Sequence, residues 1–97
     1  MSELNDIIHQ PVRLRIMAAL ASLGLQQHVD FAFLKQRLEL TDGNLGAHLR
    51  ALEEAGYVVV DKAFVERRPK TYIAASEAGR KAFTGHVLAL QTILRIP

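Results

Sequence analysis

The chain has 97 residues and a mass of 10.8 kDa, which leaves room for one domain and excludes two domains of ordinary size. Hydrophobic residues make up 49% and charged residues 23%, a balance typical of a folded globular protein rather than a disordered segment. The formal net charge is only +2, from 12 basic and 10 acidic residues, so a surface that binds a polyanion must come from local clustering.

Cysteine is absent, which excludes disulfides, thiolate nucleophiles and cysteine metal sites and is consistent with a reducing compartment. No apolar run approaches the roughly 20 residues that a membrane-spanning helix needs. The opening stretch MSELNDIIHQ carries acids and no early lysine or arginine, unlike a secretory signal. We therefore expect a cytoplasmic protein without a membrane partner.

The first predicted element is a core helix over about residues 11–22. Pro11 suits the first turn of a helix, apolar residues then recur at helical spacing, and Gly24 ends the element. Arg13 lies at helical spacing from these apolar residues, and we interpret it as a structural arginine paired with a carboxylate. Residues 3–8 are predicted to form an extra turn whose apolar side chains need another surface.

Two short helices joined by a tight turn are predicted next. Asp30 is suited to cap a helix over residues 31–38. Thr41 is suited to cap the following helix, which is amphipathic, with leucines at i, i+4 and i+7, and reaches about Ala55. Gly56 then supplies the left-handed residue that commonly follows a helix.

A β-hairpin and a last helix complete the chain. Residues 57–65 read YVVVDKAFV, which is rich in β-favouring residues and lacks a helical period, so they predict a strand. Residues 66–69 predict a basic turn that ends in proline, and residues 70–75 return as a second strand. Ser76 caps the last helix, which runs to about Arg95.

This order of elements predicts a winged helix-turn-helix, a mainly α fold with a β-hairpin wing, as a single domain over residues 1–97. The major groove of DNA admits one helix, and a second helix joined through a short turn fixes its angle. A basic hairpin tip beside the helices can reach phosphates or the minor groove. The sequence thus favours binding to double-stranded DNA.

Three segments resemble small winged-helix transcriptional regulators of the MarR/ArsR superfamily. LTDGNLGAHLRALEEAGYV, residues 40–58, is similar to their recognition-helix segment. HQPVRLRIMAAL, residues 9–20, is similar to their first core helix, and ERRPKTYIAASEAGRKAF, residues 66–83, to their wing and the start of their last helix. The resemblance implies a homodimeric, sequence-specific, DNA-binding regulator of the kind that stands alone, without an appended effector domain. We expect no cofactor, and the sequence identifies no small-molecule effector.

The resemblance also implies which residues of the recognition helix, about 41–55, meet DNA. The groove-facing positions are Asp42, Gly43, Asn44, Ala47 and His48, with Thr41 and Arg50 near phosphates. Asn44 can pair bidentately with adenine, and His48 can donate to a base or a phosphate. However, many relatives carry serine and arginine at Gly46 and Ala47, and one arginine against three acids leaves the helix with a charge of −2. Direct base reading and a merely solvated polar face both stay open.

The predicted wing gives a more favourable electrostatic signal. Its basic residues are Lys62, Arg67, Arg68 and Lys70, which outnumber two acids within residues 61–70. Arginine suits phosphate through its planar fork and also suits a narrow minor groove. The alternative is a hairpin tip with ordinary surface charge.

The last helix, about residues 76–95, is the predicted dimerisation element. One stripe of this helix is apolar and could form the seam between two copies of the chain: Phe83, Val87, Leu90 and Leu94. Apolar residues near the start of the chain could cover that seam: Leu4, Ile7 and Ile8. The alternative is that this stripe packs on the chain's own core.

Metal binding and catalysis are not predicted. The histidines at 9, 28, 48 and 86 fall in separate predicted elements without the spacing of a metal motif, although folding could still cluster them. No glycine-rich phosphate loop follows a strand, and no nucleophile–base arrangement is visible, so we expect no enzyme. The competing function is a winged-helix module that binds protein and has lost DNA binding.

Overall fold

A computed structural model describes residues 3–24 and 27–95 of the chain. Its elements are α1 (Pro11–Ala21), β1 (Val29–Asp30), α2 (Phe31–Leu38), α3 (Asp42–Glu54), β2 (Val58–Val65), β3 (Arg68–Ala75) and α4 (Glu77–Leu94). The predicted fold class, mainly α with a β-hairpin wing, is confirmed. Within those residues, no helix combines the length and the apolar character needed to cross a bilayer.

Side-chain caps fix where the helices begin. Asp30, Thr41 and Ser76 each accept a hydrogen bond from the amide three residues on, at 2.7, 3.1 and 2.9 Å respectively, as predicted. Gln10 does the same for α1, where its Oε1 accepts from the Arg13 amide at 2.9 Å. The sequence marked α1 by Pro11 alone, because glutamine is not among the usual capping residues.

The turn between α2 and α3 is set by a left-handed residue and by a hydrogen bond from α1. Glu39 ends α2 with φ 56° and ψ 49°, a left-handed conformation that lets the chain reverse without a glycine. From α1, the Arg15 guanidinium donates to the carbonyl of Leu38 at 2.9 Å. This donor satisfies a carbonyl that the end of α2 would otherwise leave unpaired, and it fixes α2 against α1.

The sheet has three strands in the order β1-β3-β2, one more than the predicted hairpin. The additional strand is two residues long and pairs Val29 with Ile73 and Asp30 with Tyr72. A strand this short has no detectable alternation, so the sequence pattern could not predict it. It ties the segment before α2 to the base of the wing.

The wing turns more tightly than predicted. Glu66 and Arg67 alone form the turn, with φ 51° and 67°, and β3 already begins at Arg68. The expected turn over residues 66–69 is therefore wrong by two residues, and Pro69 lies inside a strand opposite Phe64. Proline is tolerated there because Val65 and Arg68, which flank the two-residue turn, form the hydrogen-bonded pair, and the next pair, Phe64–Pro69, is non-hydrogen-bonded. No ladder bond to β2 is therefore lost.

The core lies between the helices and the base of the sheet. Its buried residues are Ile8, Ile16, Met17, Leu20, Leu34, Leu38, Leu45, Leu49, Leu52, Val58 and Ile73. Ile8 has 0% exposure, so it belongs to the chain's own core and has no surface left for a second copy. The predicted seam residue Ile8 is corrected accordingly, because the turn before α1 folds inward.

The surroundings of Arg13 differ from the prediction, and another arginine makes the contact between helices. Among the described residues, Arg13 pairs with no carboxylate, and its Nε is buried without a hydrogen-bond partner. Arg80 of α4 instead reaches the end of α1, where it donates to the carbonyls of Ala21 at 3.3 Å and Gly24 at 2.9 Å. A cation at a helix C-terminus is favourable, so Arg80 attaches α4 to α1.

The segment before α1 docks on α4 through a histidine pair. The backbone amide of Asn5 donates to Nδ1 of buried His86 at 2.9 Å, so the neutral ring carries its proton on Nε2. That nitrogen lies 3.3 Å from Nδ1 of His9. Burial, and then the neighbouring His9, lower the pKa of His86 below its ordinary value. Folding thus joins two of the histidines that the sequence left separate.

Candidate nucleic-acid interface

α3 presents a face of small residues to solvent. Leu45, Leu49 and Leu52 are buried against the core, and Gly43 and Ala47 lie exposed on the opposite side, one turn apart. A Cβ placed on Gly43 would meet nothing within 4 Å. The backbone of α3 can therefore come close to a partner along this face.

The other predicted DNA-contacting residues of α3 surround that face. Thr41, Asn44 and Arg50 are exposed, whereas His48 is half-buried. The Thr41 hydroxyl already accepts from the Asn44 amide, but the Asn44 side chain is unrestrained by any described hydrogen bond. His48 has only part of its ring available for a base or a phosphate.

The acidic residue at the start of α3 is neutralised by α2. Lys35 Nζ lies 2.9 Å from Asp42 Oδ1, and both side chains are partly or largely exposed. Asp42 also sits in the first turn, where a negative charge suits the helix dipole. The charge of α3 that looked unfavourable in the sequence is thus partly compensated by a residue on the preceding helix. Sequence reasoning missed Lys35, because a contact across the turn leaves no periodic signal.

A cleft separates α3 from the wing. Arg50 and Glu53 line it from α3, and Lys62 and Thr71 line it from β2 and β3. Two cations face one carboxylate, so the cleft carries positive charge. The far acidic end of the helix, at Glu54, is exposed and lies outside the cleft lining.

The basic residues of the wing lie on different sides of the hairpin. Every residue from 61 to 70 is exposed. Strand alternation places Lys62 on the face that continues from the core and places Arg68 and Lys70 on the other face, with Arg67 in the turn. Lys70 Nζ lies 3.7 Å from Asp30 Oδ2, so its charge is partly engaged within the chain.

The outer face of the wing forms a shallow groove near the start of α4. His28 packs edge-on against Tyr72 with ring centroids 4.6 Å apart, and Asp61 and Glu77 line the same groove. Within residues 3–24 and 27–95, no three histidine, aspartate or glutamate side chains gather into a possible metal site.

The stripe of α4 predicted for dimerisation becomes more exposed toward its end. Phe83 packs partly against the core, Val87 and Leu90 are half-buried, and Leu94 is 81% exposed. α4 rests on its own domain through a different row, of which Gly79, His86 and Ala89 are buried. Leu4 and Ile7 are half-buried near the start of the chain.

Comparisons with known proteins agree with this architecture. The family described as "Winged helix DNA-binding domain" matches residues 12–94. The uncharacterized protein MJ0432 of Methanocaldococcus jannaschii is 41% identical over 81 residues, which are 84% of this chain and 85% of that protein. The transcriptional regulator homologue protein of Pyrococcus horikoshii OT3 is 31% identical and has a TM-score of 0.82. The match covers 91% of this chain and 84% of that protein. NadR in complex with 4-hydroxyphenylacetate shares the fold, with a TM-score of 0.67 at 23% identity. That match covers 91% of this chain and 62% of the NadR chain.

These findings confirm the resemblance to winged-helix transcriptional regulators. They identify a DNA-binding regulator and not an enzyme. The chain belongs to the winged helix DNA-binding domain family.

Proposed function

We propose that this regulator binds double-stranded DNA sequence-specifically as a homodimer, with α3 in the major groove and the wing on the adjacent backbone. The observation that carries the proposal is the small, exposed face of α3 beside a positively charged cleft. A helix with glycine and alanine toward the groove reaches the base edges closely, and the flanking polar residues then decide which bases fit.

Base reading is assigned to a few residues of α3. Asn44 is the reader of adenine, because its Nδ2–H can donate to N7 and its Oδ1 can accept from the N6 amino group, which makes a bidentate pair. The methyl group of Ala47 suits contact with a thymine methyl. Gly43 and Asp42 lie at the helix start, where they set how closely α3 approaches. His48 contributes from the flank with its exposed part.

Phosphate contacts are assigned to residues around the cleft and on the wing. Arg50 and Lys62 line the cleft between helix and wing, and Thr41 lies at the start of α3. Arg67 and Arg68 extend the positive charge to the tip, and Lys70 contributes what its pairing with Asp30 leaves available. Each cation that neutralises one phosphate releases counterions, so binding must weaken as salt increases.

Homodimerisation is proposed through α4, about residues 76–95, together with Leu4 and Ile7. A single helix-turn-helix reads only a few base pairs, and two copies read half-sites about one helical turn apart. The exposed end of the Phe83, Val87, Leu90 and Leu94 stripe is the surface that supports this arrangement. With Ile8 inside the core, the seam consists of α4 and the first residues only.

The test combines selection from random duplexes with a salt titration of the selected site. We expect enrichment of a two-fold symmetric site and a log–log salt slope near −0.9 per phosphate neutralised. Enrichment without symmetry would contradict the dimer but keep sequence reading. If no duplex is bound even at low salt, the proposal fails, and a module that binds protein becomes the better account.

A further inference from the structure

The wing tip carries an apolar cluster in addition to its charges. Phe64 is 79% exposed, compared with 52% for Phe33. Pro69, the cross-strand partner of Phe64, is exposed too. This pair at the end of a projecting hairpin exposes apolar surface whose burial against a partner would be favourable.

Strand register shows which way Phe64 faces. Val58, Val60, Lys62 and Phe64 alternate onto one face of β2, and Val58 is buried in the core. Val60 and Lys62 line the cleft between α3 and the wing. Phe64 therefore continues the face that borders the cleft, on the side of the wing where α3 lies.

The charges around Phe64 indicate the chemistry of the partner. Lys62 lies on the face of Phe64, Arg67 follows in the turn, and Arg68 begins β3 on the opposite face. Two carboxylates are close by, Glu66 in the turn and Asp61 on the opposite face. A partner that offers only phosphates would not need the aromatic side chain. An apolar groove of a protein would not need the neighbouring cations. Duplex DNA offers both, because arginine is attracted into the minor groove and apolar side chains can enter between base steps there.

The two-residue turn at the wing tip has an energetically unfavourable backbone conformation. Glu66 and Arg67 both have positive φ, the signature of a type I′ turn, which is normally made of asparagine and glycine. Left-handed conformations of such residues persist where the surrounding structure enforces them, and they concentrate at functional sites. The two-residue turn keeps the tip narrow and brings Arg67 and Arg68 next to the Phe64–Pro69 pair.

We propose that Phe64, supported by Pro69, is a wedge that enters the minor groove beside α3, partly unstacks one base step and bends the duplex. This inference rests on the proposed function and adds a residue that acts on DNA shape. Known wedges of this kind kink DNA by about 20–90° toward the major groove. Flexible pyrimidine–purine steps, such as TA, should be preferred at that position, which would give the wing a share in sequence selectivity.

The experiment compares Phe64→Ala with Val65→Ala, an adjacent apolar change on the opposite face of β2. A duplex labelled at both ends reports bending by energy transfer, and 2-aminopurine beside a TA step reports unstacking. We expect Phe64→Ala to weaken binding by about 10-fold to 100-fold, as for loss of an aromatic–base contact, and to leave the duplex straight. The salt slope should stay unchanged, because Phe64 carries no charge. Val65→Ala should retain affinity and bending.

A second variant separates the wedge from the charges. Arg67→Ala/Arg68→Ala should flatten the salt slope by about 1–2 units, a signature that Phe64→Ala must not share.

If wild type binds duplex but Phe64→Ala keeps full affinity and an equal bend, the wedge is refuted while DNA binding stands. If Phe64→Ala instead abolishes self-association, the tip contacts a second copy, and the inference is also refuted. Absence of any duplex binding by wild type would overturn the proposed function itself. Circular dichroism checks that the variants fold, which the exposure of Phe64 leads us to expect.

Discussion

Asn44 is the residue whose removal should most directly affect sequence discrimination. It is exposed beside the small face of α3, and a bidentate amide–adenine pair contributes about 1–3 kcal/mol of discrimination. We expect Asn44→Ala to lose that amount between the selected site and random DNA, with non-specific binding retained. Competition binding measures both quantities. Gln36→Ala, the loss of an exposed side-chain amide on α2, is the control. If Asn44→Ala discriminates as well as wild type, α3 positions the protein without reading that base.

His86 should make stability depend on pH. Its pKa in the folded protein is lowered from 6.5 by burial and by His9, so the unfolded chain binds more protons near that pH. The free energy of unfolding is therefore fully retained above about pH 6.5, and it should fall as the pH drops from there toward the lowered pKa. The slope cannot exceed about 1.4 kcal/mol per pH unit for one proton.

Urea denaturation between pH 5 and 7.5 measures this slope, because that range spans the ordinary pKa of 6.5. His86→Asn places a side-chain oxygen at the position of Nδ1, where it can accept from the Asn5 backbone amide, but it cannot titrate, so the slope should disappear. His28→Asn is the control, because His28 is exposed on the far side of the sheet. An equal slope in wild type and His86→Asn would assign the pH dependence to other groups.

At the scale of elements, the attachment of α4 depends on one glycine. A Cβ on Gly79 would clash with the backbone carbonyl of Tyr57, which also accepts from the Ser76 amide at 3.0 Å. A backbone carbonyl cannot rotate away as a side chain could. Gly79→Ala should therefore lower the free energy of unfolding by about 3 kcal/mol, at the upper end for overpacking, and lower Tm by about 10 °C or more.

Gly85 of the same helix is the matched control. Nothing lies within 4 Å of a Cβ built there, and alanine has a higher helix propensity, so Gly85→Ala should stabilise by up to about 1 kcal/mol. Thermal unfolding of the two variants gives the comparison. A Gly79→Ala protein as stable as wild type would mean that α4 and Tyr57 do not approach so closely in solution.

Helix boundaries were predictable because their determinants are local. Asp30, Thr41 and Ser76 cap within three residues, and α2 has the predicted bounds, Phe31–Leu38. β1 and the two-residue wing turn were not predictable, since one is too short for a pattern and the other uses residues that normally avoid positive φ.

The candidate site was predictable only where it lies on one element. Spacing on α3 gives the exposure of Asn44, Ala47 and Arg50. The Lys35–Asp42 pair and the cleft between α3 and the wing depend on how separate elements meet. His9 and His86 lie 77 residues apart in sequence and meet only in the folded chain.

At the scale of the whole molecule, the decisive question is whether α4 joins two copies. Leu94 is 81% exposed at the end of the apolar stripe, so Leu94→Asp should leave the single-chain fold intact. In a dimer the same change places an unpaired charge in the seam, which is too costly to keep there. Wild type should therefore have a mass of about 22 kDa by light scattering, twice the 10.8 kDa of one chain, and Leu94→Asp about half of that.

Leu88→Asp is the matched control for that change. Leu88 is 51% exposed on another side of α4, away from the stripe, so this variant should stay dimeric and bind DNA normally. Leu94→Asp should lose about 100-fold or more in affinity for a two-half-site duplex, because the second half-site no longer adds its binding, while affinity for a single half-site should change little. A wild-type mass near 10.8 kDa at micromolar concentration would refute the α4 dimer, and the symmetric site with it.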